Sequence, residues 1–227
     1  MNRARFAGFA GLPAQDRSVL LDELLELLPP WLELADAALE APLFRDGRSG
    51  ATWRLFTGGR VELGATPDRL AEVDALLTRF PMSISPVPLH VPVHAREVLP
   101  FLMRERVIER EPDEPWLVLI DRVEEETTRL LAEHQARLPT ECEWEFAWRV
   151  VRRERAGWVA ADNELCGDGW SAERWQLEEL DRVPGKPGVV RSGNFSPDSF
   201  ELVLPHRMPL SAARIASVRP TIEVPLT

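Results

Sequence analysis

Residues 137–149 read Arg-Leu-Pro-Thr-Glu-Cys-Glu-Trp-Glu-Phe-Ala-Trp-Arg, and this stretch predicts a helix with a sharply defined start. Pro139 disfavours the helical conformation at the residue before it, so no upstream helix runs into the stretch. Thr140 and Glu143 have the spacing of a capping box, in which each side chain binds the backbone amide of the other residue. Apolar side chains then recur at spacings of three and four and predict one buried face: Trp144, Ala147 and Trp148. The polar positions between them are expected to face solvent: Glu141, Glu145 and Arg149.

The composition is that of a chain that can fold around a core. Its 227 residues are 44% hydrophobic and include eight tryptophans, enough for one sizeable domain or two small ones. The formal net charge of −10 argues against binding to nucleic acid or to an anionic membrane surface. Two isolated cysteines do not make a disulfide scaffold, and no apolar run reaches the roughly 18 residues of a membrane span. These features predict a soluble, cytoplasmic protein.

Residues 1–46 predict an N-terminal helical extension. Asp16 or Ser18 can cap a first leucine-rich helix, and Pro30 is placed to start a second helix over residues 31–39. Acidic residues lie mostly between the apolar positions, so both helices are expected to be amphipathic. Two interpretations stay open. The leucine-rich face either packs on the main domain or binds a protein partner, which includes a second copy of the chain.

Residues 47–227 are expected to form the main domain, which begins with a polar, glycine-containing linker. Strand-like segments at residues 52–56 and 60–64 flank Thr57-Gly58-Gly59, and this arrangement predicts a β-hairpin. Further elements are expected in the following order: a helix over residues 66–80, extended chain over 82–100, a buried strand over 116–120 and a helix over 123–134.

The stretch at residues 137–149 also resembles the signature of the formylglycine-generating-enzyme (sulfatase-modifying-factor) family. Three later segments are similar to family landmarks in the same order. Residues 163–170 (NELCGDGW) resemble a leucine followed by Gly-Asn-Val-Trp-Glu-Trp, residues 190–195 (VRSGNF) resemble Leu-Arg-Gly-Gly-Ser-Trp, and residues 217–220 (SVRP) resemble Gly-Phe-Arg. The resemblance covers about residues 52–224. It implies an irregular α+β fold, related to C-type lectins, behind the helical extension.

The resemblance implies a copper chemistry against which the sequence argues. Formylglycine formation in the family uses two cysteines beyond the segment that residues 190–195 resemble, because thiolates hold Cu(I). Residues 196–210 contain no cysteine. Cys166 precedes that segment, and Cys142 lies in the predicted helix, where a small buried hydrophobic residue is its expected role. The sequence therefore identifies no catalytic residue and no required cofactor.

The alternative is a metal-dependent oxidoreductase of the same fold that uses non-haem iron or copper. The family's iron-dependent sulfoxide synthases imply histidine ligands, and the candidates here are His90, His94 and His206. Pro88 and Pro92 argue against a helix around the first two histidines. In a strand, His90 and His94 would share a face.

Two further groups of residues are candidates for binding. Asn163 and Asp168 carry side-chain oxygens, which are the ligands that calcium prefers. The resemblance implies a calcium site here, since the family's similar segment adjoins one. The other interpretation of this segment is a glycine-rich turn. The second group comes from segments that the family gathers around its cleft: Arg191, Asn194, Phe195, His206 and Arg219. Arginines there either bind an acidic ligand bidentately or pair with acids of the chain itself.

The sequence thus favours a non-catalytic scaffold of the formylglycine-generating-enzyme-like fold that acts as a protein-binding or assembly module. Its partner is expected to be a protein or a second copy of the chain. The partner would bind either the N-terminal leucine-rich helices or the face that carries Asn194, Phe195 and His206.

Overall fold

The computed structural model describes residues 6, 8–37, 41–63, 68, 94–107, 128–129, 131–132, 135–154, 164–169, 188–192, 206–209 and 219–225. Two α-helices have described bounds, α1 (Ala14–Leu25) and α2 (Glu141–Glu154), and a short 3-10 helix covers Phe9–Gly11. The described strands are β1 (Leu32–Asp36), β2 (Leu43–Asp46), β3 (Thr52–Phe56), β4 (Gly59–Leu63), β5 (His94–Val98), β6 (Phe101–Arg104), β7 (Glu164–Gly169), β8 (Gly188–Ser192), β9 (His206–Pro209) and β10 (Thr221–Glu223).

The described strands form three sheets, and every described pair is antiparallel. The largest sheet has the order β1-β2-β3-β6-β10, β4 pairs with β5, and β7-β8-β9 form the third sheet. Helices and antiparallel strands are therefore mixed along the chain. The last strand, β10, lies beside β6 from the middle of the chain, with Ile222 opposite Leu102. Most of the sheet order is thus set by pairings between distant parts of the sequence.

β3 and β4 follow each other along the chain but belong to different sheets. β3 pairs with β2 and β6, whereas β4 pairs with β5. The hairpin predicted around Thr57-Gly58-Gly59 is therefore wrong, although both strands are present. Gly58 and Gly59 have φ angles of 66° and 117° and turn the chain from one sheet into the next. A Cβ atom on Gly58 would overlap the carbonyl oxygen of Val98, so the close approach at this corner requires glycine.

β1 lies where the sequence predicts a second N-terminal helix over residues 31–39, and that prediction is wrong. Leu32 is buried and Leu34 is partly buried, whereas Glu33 and Ala35, which alternate with them along the strand, are exposed. This alternation is typical of a strand with one buried face. β1 pairs with β2, which pairs with β3. Residues of the predicted extension therefore contribute two strands to the largest sheet.

α1 covers one face of the largest sheet and confirms the first predicted helix. Its N-cap is Pro13, without a side-chain cap, so the prediction that Asp16 or Ser18 caps it is wrong. The leucines of its inner face are buried in an apolar core with residues from the whole sheet: Leu20, Leu21, Leu24, Phe6, Phe9, Leu28, Leu32, Phe44, Trp53, Leu55, Leu102, Ile222 and Val224. The sequence left two interpretations of the leucine-rich face open, and these leucines fit the first, in which the face packs on the main domain.

α2 contacts β4, β5, β7 and β8. Trp144 and Ala147 are fully buried, as their spacing predicts. The apolar core at this helix contains Phe56, Val98, Phe101, Met103, Ala147 and Val151. The prediction that Glu145 faces solvent is wrong, because its side chain is only 3% exposed. Its carboxylate accepts a hydrogen bond of 2.7 Å from Arg149 one turn later, which compensates the buried charge.

Several sequence predictions fall outside the described residues. They are the helix over residues 66–80 apart from Asp68, the strand over 116–120 and most of the helix over 123–134. Within the predicted extended segment, residues 94–98 are described and form β5. Among the described helices, none has the length and apolarity needed to span a membrane.

Candidate functional site

The start of α2 is the most densely hydrogen-bonded part of the predicted signature. The amide of Thr140 donates to a carboxylate oxygen of Glu143 at 2.8 Å, and the amide of Glu143 donates to the Thr140 hydroxyl at 3.2 Å. This confirms the capping box. Arg137 donates to both Glu143 oxygens, at 2.7 and 2.6 Å, in a bidentate pair. The Glu143 carboxylate thus satisfies one helix amide and one arginine while it lies at the positive end of the helix dipole.

Arg137 also ties the start of α2 to the C-terminal strand. Its backbone forms an isolated bridge with Thr221, in which each amide donates to the carbonyl of the other residue at 2.8 Å. Two residues further along, the carbonyl of Pro139 accepts from the amide of Gly167 in β7 at 2.9 Å. The entry into α2 is therefore held by backbone contacts to two different sheets.

Trp144, Glu164 and Arg219 form a fully buried group, here called the Glu164 cluster. Arg219 donates to both carboxylate oxygens of Glu164, at 2.7 and 2.8 Å. The indole nitrogen of Trp144 donates to the same carboxylate at 2.9 Å. All three side chains are 0% exposed. A buried ion pair of this kind is tolerated only when hydrogen bonds satisfy both charges, and here the carboxylate has three donors.

The remaining donor of Arg219 joins the cluster to the largest sheet. Its Nη1 donates to the carbonyl of Arg104 at 3.1 Å and also to the carbonyl of Glu105. The Glu105 carboxylate in turn accepts from the buried Arg54 of β3 at 2.7 Å. Arg219 therefore connects the end of β6, strand β7 and, through Trp144, helix α2. Four hydrogen bonds of its guanidinium are thus made within the chain.

The charges around Arg104 extend this network toward the turn after β2. Burial lowers the pKa of Arg104, the negative charge of Asp46 opposes that effect, and the positive charge of Arg219 adds to it. Burial alone would raise the pKa of Asp46. Hydrogen bonds from Arg48 and Ser49 outweigh that effect and hold the pKa below its ordinary value. Asp46 therefore stays ionised and supplies a negative charge that acts on Arg104.

The two cysteines have different surroundings, and neither forms a disulfide bond. Cys166 is 0% exposed and packs with Trp144 and Trp148, whose rings stack at 6.5 Å with an interplanar angle of 13°. Cys142 is partly exposed and packs at the edge of the apolar core beside α2. The Cys166 thiol is therefore enclosed by aromatic rings and closed off from solvent.

Only one residue of the predicted binding group has a described side-chain environment, and it is Arg219. Arg191 lies on β8, with its Cα paired to Glu164 on one side and to Arg207 on the other. His206 lies at the start of β9, opposite Ser192. Asn194 and Phe195 lie outside the described residues. The structure therefore brings Arg219 together with Glu164, and places Arg191 next to Glu164 in strand register.

Only some of the candidate metal ligands lie in the part of the chain that the structure describes. Asp168 lies in β7, while Asn163 is outside the described part, so the calcium site stays a prediction. Residues 164–169 form a strand, so the interpretation of this segment as a glycine-rich turn is wrong. His94 begins β5 and His206 begins β9, in separate sheets, and His90 is outside the described residues. The described residues contain no group of three or more candidate ligands that could hold a metal ion.

Glu164 is the functional-site residue that sequence reasoning misses. In the sequence it stands between Asn163 and Leu165 with no motif that distinguishes it. Its partners are 20 residues upstream, at Trp144, and 55 residues downstream, at Arg219. The available signal is weak, because Glu164 is one of 37 acidic residues and is distinguished only by lying in a segment that resembles a family landmark.

Comparisons of the chain with protein-family models, with curated proteins and with solved structures found no match. The likeness to the formylglycine-generating-enzyme family therefore stays a prediction from the quoted residues.

Proposed function

We propose that this protein is a non-catalytic scaffold of the formylglycine-generating-enzyme-like fold that acts as a protein-binding or assembly module. The observation that carries this proposal is the Glu164 cluster. Arg219, which the resemblance assigns to the family's cleft, is fully buried and bonded to Glu164. Such a fully buried guanidinium is out of reach of an acidic ligand, and separating it from Glu164 would break a buried ion pair.

The same reasoning extends to the other residues of the signature. The carboxylate of Glu143 binds Arg137 and the amide of Thr140, and Glu145 binds Arg149. Each of these acids is at most 5% exposed. Buried polar groups whose hydrogen bonds are satisfied within the chain hold a fold in one arrangement, and they offer little to a substrate. We assign the signature to scaffold formation for this reason.

The thiols support the same proposal. Cys166 is buried beside Trp144 and closed off from solvent, and residues 196–210 contain no cysteine. Neither cysteine of the chain forms a disulfide bond, which suits a reducing compartment, and we propose a cytoplasmic location on this ground. We further propose that no catalytic cofactor is required for its function.

Partner binding is proposed for the N-terminal segment. The inner leucines of α1 belong to the protein's own core, so a partner or second copy would contact the outer side of this helix. The other surface suggested by the sequence, with Asn194, Phe195 and His206, lies largely outside the described residues.

The test combines partner isolation with metal analysis on the full chain. Cross-linking in the native cell, followed by purification, should yield a protein partner in fixed stoichiometry, and sedimentation should establish whether the partner is a second copy. Purified protein should bind neither iron nor copper stoichiometrically after anaerobic reconstitution. His134→Ala is the control, because His134 is not among the candidate ligands. Stoichiometric metal that is lost in His94→Ala and in His206→Ala but kept in this control would overturn the proposal in favour of the oxidoreductase. Recovery of the chain alone as a monomer would also count against it.

A further inference from the structure

The turn between β2 and β3 contains an Asp-Gly sequence, Asp46-Gly47, which is a reactive pair in polypeptides. Glycine has no Cβ atom, so its backbone nitrogen can approach the carboxyl carbon of the preceding aspartate closely. Attack of that nitrogen on Cγ closes a five-membered succinimide ring. A C–N bond forms, a C–O bond of the carboxylic acid breaks, and the departing oxygen leaves as water with the acid proton and the amide proton.

Hydrolysis of the ring needs no reactant besides water. Water that adds to the side-chain carbonyl restores aspartate. Water that adds to the main-chain carbonyl breaks its bond to the Gly47 nitrogen, and the chain then continues through the side chain as isoaspartate. The product has the mass of the starting protein, but its main chain is longer by one carbon atom.

In the folded protein the Asp46 carboxylate is held in an unreactive form. Its side chain is 0% exposed. The amides of Arg48 and Ser49 donate to Oδ1 at 2.8 and 3.3 Å, and the Ser49 hydroxyl donates to Oδ2 at 2.8 Å. Such donors stabilise the ionised carboxylate, whereas ring closure consumes the protonated acid. The turn therefore keeps the carbon that would be attacked in the less reactive state.

The attacking nitrogen is also engaged. The amide of Gly47 donates to the carbonyl of Trp31 at 2.8 Å, so the proton that ring closure must remove takes part in a hydrogen bond. The carbonyl of Asp46 accepts from the amide of Gly50 at 2.7 Å, which fixes the backbone around the reactive bond. The Arg48 guanidinium lies 3.9 Å from the centre of the Trp31 ring and closes the turn from outside.

The described neighbours leave room for a side chain at position 47. A Cβ atom on Gly47 would lie 3.6 Å from Glu33 Oε1 and 3.6 Å from the carbonyl oxygen of Trp31, which are ordinary contacts. Gly50 differs, because its φ angle of 72° favours glycine. Gly47→Ala should therefore fold normally while hindering ring closure.

We propose that Asp46-Gly47 is a site of spontaneous isomerisation that the folded β2–β3 turn keeps closed and that opening of the turn exposes. This inference is independent of the proposed scaffold function. Isoaspartate would move the carboxylate away from Arg48 and Ser49 and lengthen the main chain where β2 ends, so the same turn could not close again. A molecule that stays open long enough is thus altered permanently, because chemical modification of the open state prevents its return.

The test follows isoaspartate in the full chain. Wild-type protein is incubated for several weeks at neutral pH, either folded or unfolded in urea. Proteolysis and mass spectrometry with electron-transfer fragmentation then distinguish isoaspartate from aspartate at position 46. The second Asp-Gly sequence of the chain, Asp168-Gly169, is the internal reference in urea.

Three variants separate the turn from the reactive pair. Arg48→Ala/Ser49→Ala removes the side-chain donors to the carboxylate. The matched control, Ser18→Ala/Arg60→Ala, removes the same two side chains from exposed positions elsewhere. Gly47→Ala should form less isoaspartate than the wild type in urea. Thermal melting verifies folding, and Ser49→Ala alone replaces the double variant if that variant does not fold.

In the folded wild type, isoaspartate at position 46 should form at least about tenfold more slowly than in urea, because only the open fraction of the turn reacts. Arg48→Ala/Ser49→Ala should raise the rate in the folded protein by roughly tenfold, since it weakens the closed turn. The control should change that rate by less than about twofold. Isomerised protein, separated by chromatography, should unfold at a lower urea concentration than protein that was not incubated.

Several outcomes would overturn the proposal. Equal rates in the folded and the unfolded wild type would mean that the turn gives no protection. A rate in the folded protein that Arg48→Ala/Ser49→Ala leaves unchanged would mean that these contacts do not keep the site closed. Absence of isoaspartate at position 46 in urea, while it forms at position 168, would show that the pair is not reactive. An isomerised protein of unchanged stability would contradict the permanent alteration.

Discussion

The two described helices are attached to the protein by different kinds of contact. α1 has no side-chain cap and is held by leucines that enter an apolar core. α2 begins with a capping box, and Trp144 joins it to a buried ion pair between Glu164 and Arg219. Apolar burial depends on the area removed from water and has little directional preference. Hydrogen-bonded charges require specific partners at specific distances.

This difference predicts different responses to substitution. Around α1, the free energy of unfolding should depend mainly on side-chain volume, because close-packed apolar residues of similar size can replace each other. Around α2, a substitution of nearly equal volume should be costly whenever it leaves a buried charge or donor without its partner. The difference also suits the proposed roles, with α1 as a surface element and α2 as part of the scaffold.

The largest effect is expected for Arg219→Met. The change leaves the fully buried Glu164 carboxylate without its counter-ion and should lower the free energy of unfolding by about 3–5 kcal/mol. Urea denaturation measures it. The double variant Glu164→Gln/Arg219→Met removes the charge while keeping an acceptor for Trp144, so it should be more stable than Arg219→Met alone. If the double variant is the less stable of the two, the ion pair is not the reason for the cost.

Leu24 tests the α1 side of the comparison. Leu24→Ala opens a cavity in the core and should cost about 2–5 kcal/mol, because this side chain is 0% exposed. Leu24→Met conserves the volume and should cost less than about 1.5 kcal/mol. The two free energies of unfolding come from the same urea titrations. Similar costs for both variants would mean that α1 is as demanding as α2 and would end the contrast between the helices.

Trp144→Phe separates packing from hydrogen bonding at α2. Phenylalanine keeps most of the apolar volume but lacks the indole donor to Glu164, so we expect a loss of about 1–3 kcal/mol. Combined with Arg219→Met, the two losses should not add, because both residues bind the same carboxylate. Thermal denaturation of the single and double variants measures the coupling. Strict additivity would show that the tryptophan contributes through packing alone.

Asp46 is a polar residue on the strand that supplies Phe44 to the α1 core, and it predicts a pH dependence. Its folded pKa is below the ordinary value, so its stabilisation is present above the unfolded pKa and is lost as pH falls through the folded pKa. Asp46→Asn should cost about 1–2 kcal/mol at neutral pH. The difference from the wild type should shrink below about pH 4, the unfolded value for aspartate. Denaturation at pH 7 and pH 3 measures both, and a difference that grows in acid contradicts the assignment.

Thr140→Ala should have the smallest effect of the series. It removes the hydroxyl that accepts from the Glu143 amide at 3.2 Å, while Glu143 keeps its bonds to Arg137 and to the Thr140 amide. The expected loss is about 1 kcal/mol, which is typical of an N-cap. Thr140→Ser is the matched control, because serine keeps the hydroxyl and should stay within a few tenths of a kcal/mol of the wild type. A threonine-to-serine change as damaging as the alanine change would point to the methyl group instead.

The parts of the fold that the sequence predicts correctly depend on neighbours within one or two helical turns. Thr140 and Glu143 are three residues apart, and their bonds form as expected. Trp144 and Ala147 are buried as their spacing predicts. Glu145 is buried although its position in the helix predicts exposure, because other parts of the fold cover that side of α2. A local pattern shows which residues share a face but not how much of that face is covered.

The parts that the sequence does not predict depend on which segments pair with each other, and several of these segments lie far apart in the chain. The apolar spacing of residues 31–39 fits a helix, and only pairing with β2 makes Leu32–Asp36 a strand. Gly58 and Gly59 mark a change of direction, but they do not reveal that β3 pairs with β6 instead of β4. Arg219 is predicted either to bind a ligand or to pair with an acid. Its actual partner lies 55 residues away, a separation that no local rule spans.

The position of Arg219 has a consequence for the order of events during biosynthesis. Its guanidinium bonds to carbonyls 114 and 115 residues earlier in the chain, and β10 completes the sheet beside β6. Ribosomes add roughly 5–20 residues per second from the N-terminus, so the apolar core around α1 can begin to collapse several seconds before residue 219 exists. Until then, Glu164 lacks Arg219, and β6 lacks its neighbour β10 on one edge. A nascent chain at this stage should be a client for chaperones that shield unpaired strands, and it should lose that dependence as soon as the final strand leaves the exit tunnel.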